Sequence, residues 1–349
     1  MTDTTPPLRV ALLGAGLFAT NSHAPVLIKF KDVFDTKAVW SRTKESAEKL
    51  APKLGCEALG GETELDSLMA RQDIDAFVVA LPLDVQPALV LRLLKAGKHV
   101  LSEKPIAPTV ELAQQLVAEY QAIPEQQRQW SVAENFRYEP GIETVAEKIR
   151  TNEIGDILLL SLVVKNPFRH DNPYLNTAWR KEPSWYGGLF VDAFIHAAAA
   201  IRTMIPGELR QVSAVTSHRA DHLPGPDTMA GHVQWENGVQ GTITASYASD
   251  TFHYAFEVTG RQGTIVLQRS TKQPGYDLIV TKGMGKDTAV TTEFFKFQGL
   301  DKEFLAFAAA CRKQGDDKNT PQQALQDLKL VQALLESGKQ GGAVVKVQT

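Results

Sequence analysis

Leu8-Arg9-Val10-Ala11-Leu12-Leu13 runs directly into Gly14-Ala15-Gly16-Leu17-Phe18-Ala19. The first six residues read as a buried strand, a short apolar run that ends on a glycine. The glycines then open a helix expected to run towards Lys29. In that setting Gly14 permits a tight turn and Gly16 lets the backbone approach a pyrophosphate. Ala19 takes the third small position, where helix and strand pack closely. A phosphate there would meet the positive end of the helix. A glycine turn in some other α/β fold would look the same; its place after the very first strand favours a dinucleotide.

Outward from this motif, strands are expected over 34–40, 75–81, 99–102 and 129–133. Helices are expected between them, one capped by Thr43 and running to Leu54, one with Pro87 near its start and Gly97 at its end, and one opened by Pro108. Strands alternating with helices imply a parallel sheet with right-handed crossovers. The pattern changes near Glu134. A helix over 138–150 leads to a long strand over 157–165, and a buried helix follows. Closely spaced strand-like runs then occupy 212–217, 229–235, 241–247, 252–258 and 263–267, with Asn237-Gly238 as a hairpin turn. These suggest an antiparallel sheet, and helices over 302–313 and 320–337 follow. The expected class is therefore α/β plus α+β, a doubly wound parallel domain over 1–134 and a second domain over 135–349.

Composition narrows the function. With 349 residues two domains are the natural prior, and 43% hydrophobic with 22% charged residues is ordinary for a soluble globular chain. A net charge of -3 gives no basic face for nucleic acid. No apolar run approaches membrane-spanning length. The two cysteines, Cys56 and Cys311, form no metal spacing, and reduced thiols suit a cytoplasmic location. Residues 1–7 are polar and proline-rich, lack the regions of a secretory signal, and are expected to form a short disordered tail.

Three further stretches carry chemistry. The second strand ends in Trp40-Ser41-Arg42-Thr43, where an NAD-preferring site usually has Asp or Glu for the ribose 2′-hydroxyl. Ser41 can donate to a 2′-phosphate and Arg42 can pair with it and stack on adenine, which points to NADP; otherwise Arg42 is a solvated surface residue. Glu103-Lys104-Pro105 places an ammonium beyond the carboxyl end of a strand, where ligands of open α/β sheets bind. Glu103 either orients the lysine or caps the next segment. Gly187-Gly188 precedes an apolar helix on which Asp192 and His196, four apart, share a face. An acid and an imidazole in such a helix are costly unless paired or used, and imidazole suits proton transfer with a hydroxyl. An Asp–His pair satisfying itself in a core is the alternative. Metal binding is not expected, since His218, His222 and His232 are scattered.

On Gly14-Ala15-Gly16, Glu103-Lys104-Pro105 and Gly187-Gly188-x3-Asp192-x3-His196, the chain resembles the glucose–fructose oxidoreductase / inositol dehydrogenase / MocA (Gfo/Idh/MocA) superfamily over nearly its whole length. The resemblance implies an N-terminal Rossmann domain and a C-terminal domain on a mostly antiparallel open sheet. It implies that Lys104, Asp192 and His196 form the catalytic constellation. His196 would be the acid/base, Lys104 would polarise the reacting oxygen, and Asp192 would position substrate or His196. NADP(H) would meet Gly14, Gly16, Leu17, Phe18, Ser41, Arg42, Leu81, Pro82, Glu103, Lys104 and Asn135. Gln86 stands where the family commonly has Asn or His, so it would replace that polar cofactor contact. Ala133-Glu134-Asn135-Phe136-Arg137 and Thr177-Ala178-Trp179-Arg180 resemble a eukaryotic NADP(H)-dependent branch, which puts Arg137, Trp179 and Arg180 towards substrate; Trp179 could equally be core. The expected function is an NADP(H)-dependent oxidoreductase of a sugar, polyol or other small carbonyl or hydroxyl compound. The competing reading is a non-catalytic NADP-binding regulator or sensor of the same fold. Relatives commonly pair through the exposed face of the second sheet, so a homodimer is compatible with this chain.

Overall fold

The structure, a computed structural model, describes residues 5–124, 128–283 and 285–347. The first four residues of the tail expected over 1–7 lie outside the described residues. The chain forms two compact units. The first reaches to Glu134 and also takes in Leu300–Leu325; the second comprises Asn135–Gly299 and the chain from Gln326 on.

Among the described residues the first unit has six parallel strands. They are β1 (Leu8–Leu13), β2 (Phe34–Ser41), β3 (Glu57–Gly60), β4 (Ala76–Val79), β5 (His99–Glu103) and β6 (Trp130–Ala133), in the order β3-β2-β1-β4-β5-β6. The order reverses beside β1, and in such sheets ligands bind beyond the carboxyl ends at that switch point. Strand β4 is buried at every position, which fits a parallel sheet covered on both faces. β3 and the helix Gly61–Ala70 have no counterpart in the sequence reading. That helix carries Glu62 and Glu64 in its first turn and buries Leu65, Leu68 and Met69.

The helix Gly299–Cys311 corrects the expected second domain of 135–349. Its Phe304, Phe307 and Ala308 lie in one core cluster with Val10, Leu12, Phe34 and Val39. Arg312 beyond it donates to the Pro6 carbonyl at 2.9 Å. Hydrophobic burial against β1 and β2 returns this segment to the first unit.

The second unit is built on β7 (Ile157–Lys165), β8 (Leu209–Ser217), β9 (Thr228–Trp235), β10 (Gln240–Ser246), β11 (His253–Gly260), β12 (Gly263–Arg269), β13 (Gly275–Lys282), β14 (Ala289–Lys296) and β15 (Val345–Lys346). Their order is β14-β13-β12-β11-β7-β10-β9-β8-β15. β7 and β10 pair in parallel; the other neighbours are antiparallel. One face is buried and the other open: along β10, Gly241, Ile243 and Ala245 are buried while Gln240, Thr242 and Thr244 are exposed. Among the described residues no helix is long and apolar enough to cross a membrane.

Candidate active site

In the first unit Gly14, Gly16, Ser41, Arg42 and Lys104 all lie just past the carboxyl ends of parallel strands. Gly14 has φ +114°, and a Cβ there would sit 2.3 Å from the Ala80 carbonyl oxygen. Only glycine fits that close approach. A Cβ on Gly16 would meet nothing within 4 Å, so its backbone faces open space. The loop is tied down from behind, with Gly14 N–H donating to Trp40 O at 2.8 Å. Beside it Leu17 is exposed and Phe18 half-buried. An open backbone above a steric anchor suits close approach of a pyrophosphate, so these residues fit a dinucleotide.

The end of β2 is equally open. Ser41 is half-buried and Arg42 exposed. Among the described residues Arg42 has no ion-pair partner. Its neighbours are already committed, Lys44 to Glu64 at 2.9 Å and Glu45 to Lys49 at 2.6 Å. The Glu64 carboxylate also accepts from Gly60 N–H at 2.6 Å, and Lys44 holds its pKa down.

Lys104 is half-buried and precedes a cis peptide to Pro105. Glu103 is engaged by a residue the sequence reading did not single out. His23 Nε2 lies 2.8 Å from Glu103 Oε1, and the imidazole is fully buried. It meets the edges of Phe18 and Phe304, with ring centroids 5.1 and 5.2 Å apart. His23 therefore links the helix after the glycine loop to the end of β5. Gln86 is fully buried, and one N–H of its amide donates to the Glu103 carbonyl at 2.6 Å on the backbone before Lys104, while its Oε1 has no hydrogen-bond partner among the described residues. Leu81 is half-buried and Pro82 exposed in the same turn. A lone histidine at position 23 carried no local signal, because its partner is eighty residues away.

Behind this edge lies Glu303, fully buried, accepting from Asn319 Nδ2 at 2.9 Å. Burial pushes its pKa well above the usual carboxylate range, and the charges of Glu103 and Glu134 push the same way. The folded state thus keeps a proton that the unfolded state releases as pH rises through about 4.3. Stability is lost as pH climbs from there through the raised folded pKa. Glu303→Gln, which mimics the neutral acid, should melt progressively higher than the parent between pH 5 and pH 8. A gap that stayed constant or closed with rising pH would contradict this.

In the second unit Gly187 and Gly188 adopt φ +107° and +42°. The expected single apolar helix is interrupted. One short helix spans Gly188–Asp192 and a second spans Ile195–Met204. The Leu189 carbonyl accepts from Ala193 N–H at 2.7 Å and from Phe194 N–H at 3.3 Å, a widened turn that breaks the regular four-residue register. Asp192, only 8% exposed, accepts from Arg180 Nε at 2.7 Å and Nη2 at 3.4 Å. Arg180 lies over the half-buried Trp179 ring at 3.9 Å. His196 is half-buried and stacks on Phe136, centroids 4.8 Å apart and planes 18° apart. Asn135, half-buried, opens this unit.

Arg137 does not fit the expected substrate role. It is 5% exposed and pairs with Asp327, which also binds Arg202 at 2.6 Å. Its charge is committed inside the unit. Among the described residues no three His, Cys, Asp or Glu side chains converge as metal ligands. His170 and His222 do stack, centroids 3.8 Å apart.

The parallel sheet and glycine loop define a dinucleotide-binding domain, here joined to an open, mostly antiparallel sheet. Residues 8–134 match the family described as oxidoreductase family, NAD-binding Rossmann fold, and residues 142–266 match the GFO/IDH/MocA C-terminal domain. The chain is 34% identical over 355 residues to dehydrogenase FPY6 of Fusarium mangiferae, covering 97% of this chain and 99% of that one. It is 30% identical over 274 residues to dTDP-3,4-didehydro-2,6-dideoxy-alpha-D-glucose 3-reductase of Saccharopolyspora spinosa, covering 77% and 76%. A crystal structure of an oxidoreductase from Thermotoga maritima superposes with a TM-score of 0.86 at 28% identity, covering 98% of each chain. The chain belongs to the Gfo/Idh/MocA oxidoreductase family.

Proposed function

We propose that this protein is an NADP(H)-dependent oxidoreductase that interconverts a hydroxyl and a carbonyl group on a sugar, polyol or similar small molecule. The observation that carries this reading is the shared edge of the first sheet. The Gly14–Gly16 backbone, the Ser41-Arg42 pair and the Lys104 ammonium all emerge at the carboxyl ends of parallel strands. The sugar or polyol class is supported by the Saccharopolyspora relative, which bears the name of a reductase of a dTDP-linked didehydro sugar.

A nicotinamide held by these residues would supply or accept the hydride. The chain's own groups do the rest. Lys104 polarises the reacting oxygen with its fixed positive charge. His196 gives or takes the proton of that oxygen. Asp192 holds Arg180, and the Arg180–Trp179 pair offers substrate a flat, polar-edged wall. Ser41 and Arg42 take the 2′-phosphate.

Two measurements test this. NADPH oxidation should be followed against a panel of aldehydes, diketones, sugars and anhydro-sugars. No turnover with any of them, combined with tight NADPH binding, would favour a sensor. Separately, Arg42→Ala should weaken NADPH binding while sparing NADH. Charge-assisted hydrogen bonds of about 1.5–3 kcal/mol put the loss at roughly tenfold to a hundredfold. Equal losses for both cofactors would show that Arg42 does not read the 2′-phosphate.

A further inference from the structure

His196 begins a helix whose next residues leave no freedom, since Ala197 to Ile201 are fully buried. The backbone is therefore fixed, and the imidazole plane is set by what touches the ring. Phe136 stacks on it nearly parallel, which leaves the ring nitrogens directed edgewise rather than into the neighbour. Phe136 is itself held twice. The next residue, Arg137, pairs with Asp327 and donates to Thr203 Oγ1 at 3.2 Å, and Arg202 reaches the same carboxylate. Thr203 and Arg202 lie on the helix that carries His196, so the turn bearing Phe136 is pinned to that helix. On its other contacts Phe136 joins Tyr254, Tyr276 and Phe297 around the Arg269 guanidinium, which lies 4.2 Å from the Phe297 centroid, 4.5 Å from Tyr276, 5.5 Å from Phe136 and 5.6 Å from Tyr254. Among the described residues Arg269 makes no ion pair, and the four rings serve as its partners.

We propose that Phe136 is the positioning residue for the His196 imidazole, and that the Arg269 aromatic box and the Arg137–Asp327–Arg202 triad hold Phe136 in place. This rests on the reading of His196 as the acid/base group. Losing the stacked Phe136 ring removes the contact that sets the imidazole plane, so the nitrogens would be aimed at the reacting oxygen less of the time, and losses of this kind fall on the chemical step.

The test uses the full chain with Phe136→Leu, Phe136→Met and Phe136→Tyr, assayed with the panel substrate of highest kcat/KM and with NADPH binding measured directly. In Leu and Met, kcat should fall about 10- to 100-fold with KM and NADPH affinity unchanged, and Tyr should restore most of it because it keeps the stacking ring. The upfield shift that the Phe136 ring imposes on the His196 ring protons should vanish in Leu and Met and return in Tyr. Met guards against a Leu variant that folds poorly. Wild-type kcat in Leu and Met, parallel loss of NADPH affinity, or a Tyr variant no better than Leu would each overturn the proposal. His196→Ala separates the two ideas. If it abolishes turnover while Phe136→Leu does not, positioning alone fails. If it retains full turnover, the acid/base reading falls as well.

Discussion

His196→Ala is expected to lower turnover about 100- to 10,000-fold, the range that a positioned acid/base contributes. Lys104→Met is expected to cost about 100- to 1,000-fold, the range for removing one oxyanion-type donor. Both variants should bind NADPH as the parent does. The phosphate contacts proposed above come from Gly14, Gly16, Ser41 and Arg42, and both substitutions leave those four residues unchanged. Neither substitution removes the features that hold the local backbone. Gln86 would still donate to the Glu103 carbonyl and His23 would still bind its carboxylate. The Ile195–Met204 helix keeps its buried alanine face in His196→Ala. Methionine keeps most of the lysine stem and removes only the charge. The discriminating experiment is steady-state kinetics beside NADPH titration. Full activity in both variants would sink the mechanism, and loss of NADPH binding in step with kcat would mean that the residues hold the fold instead.

What could be read from sequence follows a physical divide between local and distant partners. The glycine turn, the strands β1, β2 and β5 and the lysine after β5 are local patterns, a short apolar run and the residues that stop it. The segments that escaped notice lack such a pattern. Strand β14 is exposed along most of its length, so Ala289 to Lys296 shows no buried alternation. β3 has four residues and no fully buried position. The membership of Leu300–Leu325 in the first unit depends on Phe304 and Phe307 finding Val10 and Phe34, nearly three hundred residues earlier. The site shows the same divide. Asp192 and His196 stand out as polar residues in an apolar run. Their actual neighbours, Arg180 and Phe136, come from other elements, and the break at Ala193–Phe194 depends on where the Leu189 carbonyl finds its donors. Arg137 was legible only as a charged residue near a domain boundary. Nothing in its surroundings in sequence signals that Asp327 consumes its charge.

Asp327→Ala should strongly destabilise the second unit. The carboxylate is 1% exposed and faces two guanidiniums, Arg137 at 6% and Arg202 at 8% side-chain exposure. Burial pushes its carboxyl above the usual range, and the two arginines pull against that. Removing it takes away the buried carboxylate that these two guanidiniums share. Breaking a buried pair in this way costs about 3–5 kcal/mol. At about 2–4 °C per kcal/mol for a unit of this size, the melting temperature should drop by roughly 10 °C. Lys49→Ala is the contrast. It removes the Glu45 contact, but both partners are more than 70% exposed, and no measurable shift is expected. Replacing all three charges together, with Asp327→Leu, Arg137→Met and Arg202→Met, should recover most of the lost stability, since apolar groups of similar volume often replace a buried charge set without penalty. The same variant should not recover kcat, because apolar contacts do not fix the turn bearing Phe136 in one direction as the two-armed carboxylate does. A melting temperature for Asp327→Ala within a degree of the parent would mean that water already reaches the guanidiniums. Full recovery of both melting temperature and kcat in the triple variant would show instead that the charges contribute nothing to the alignment of His196.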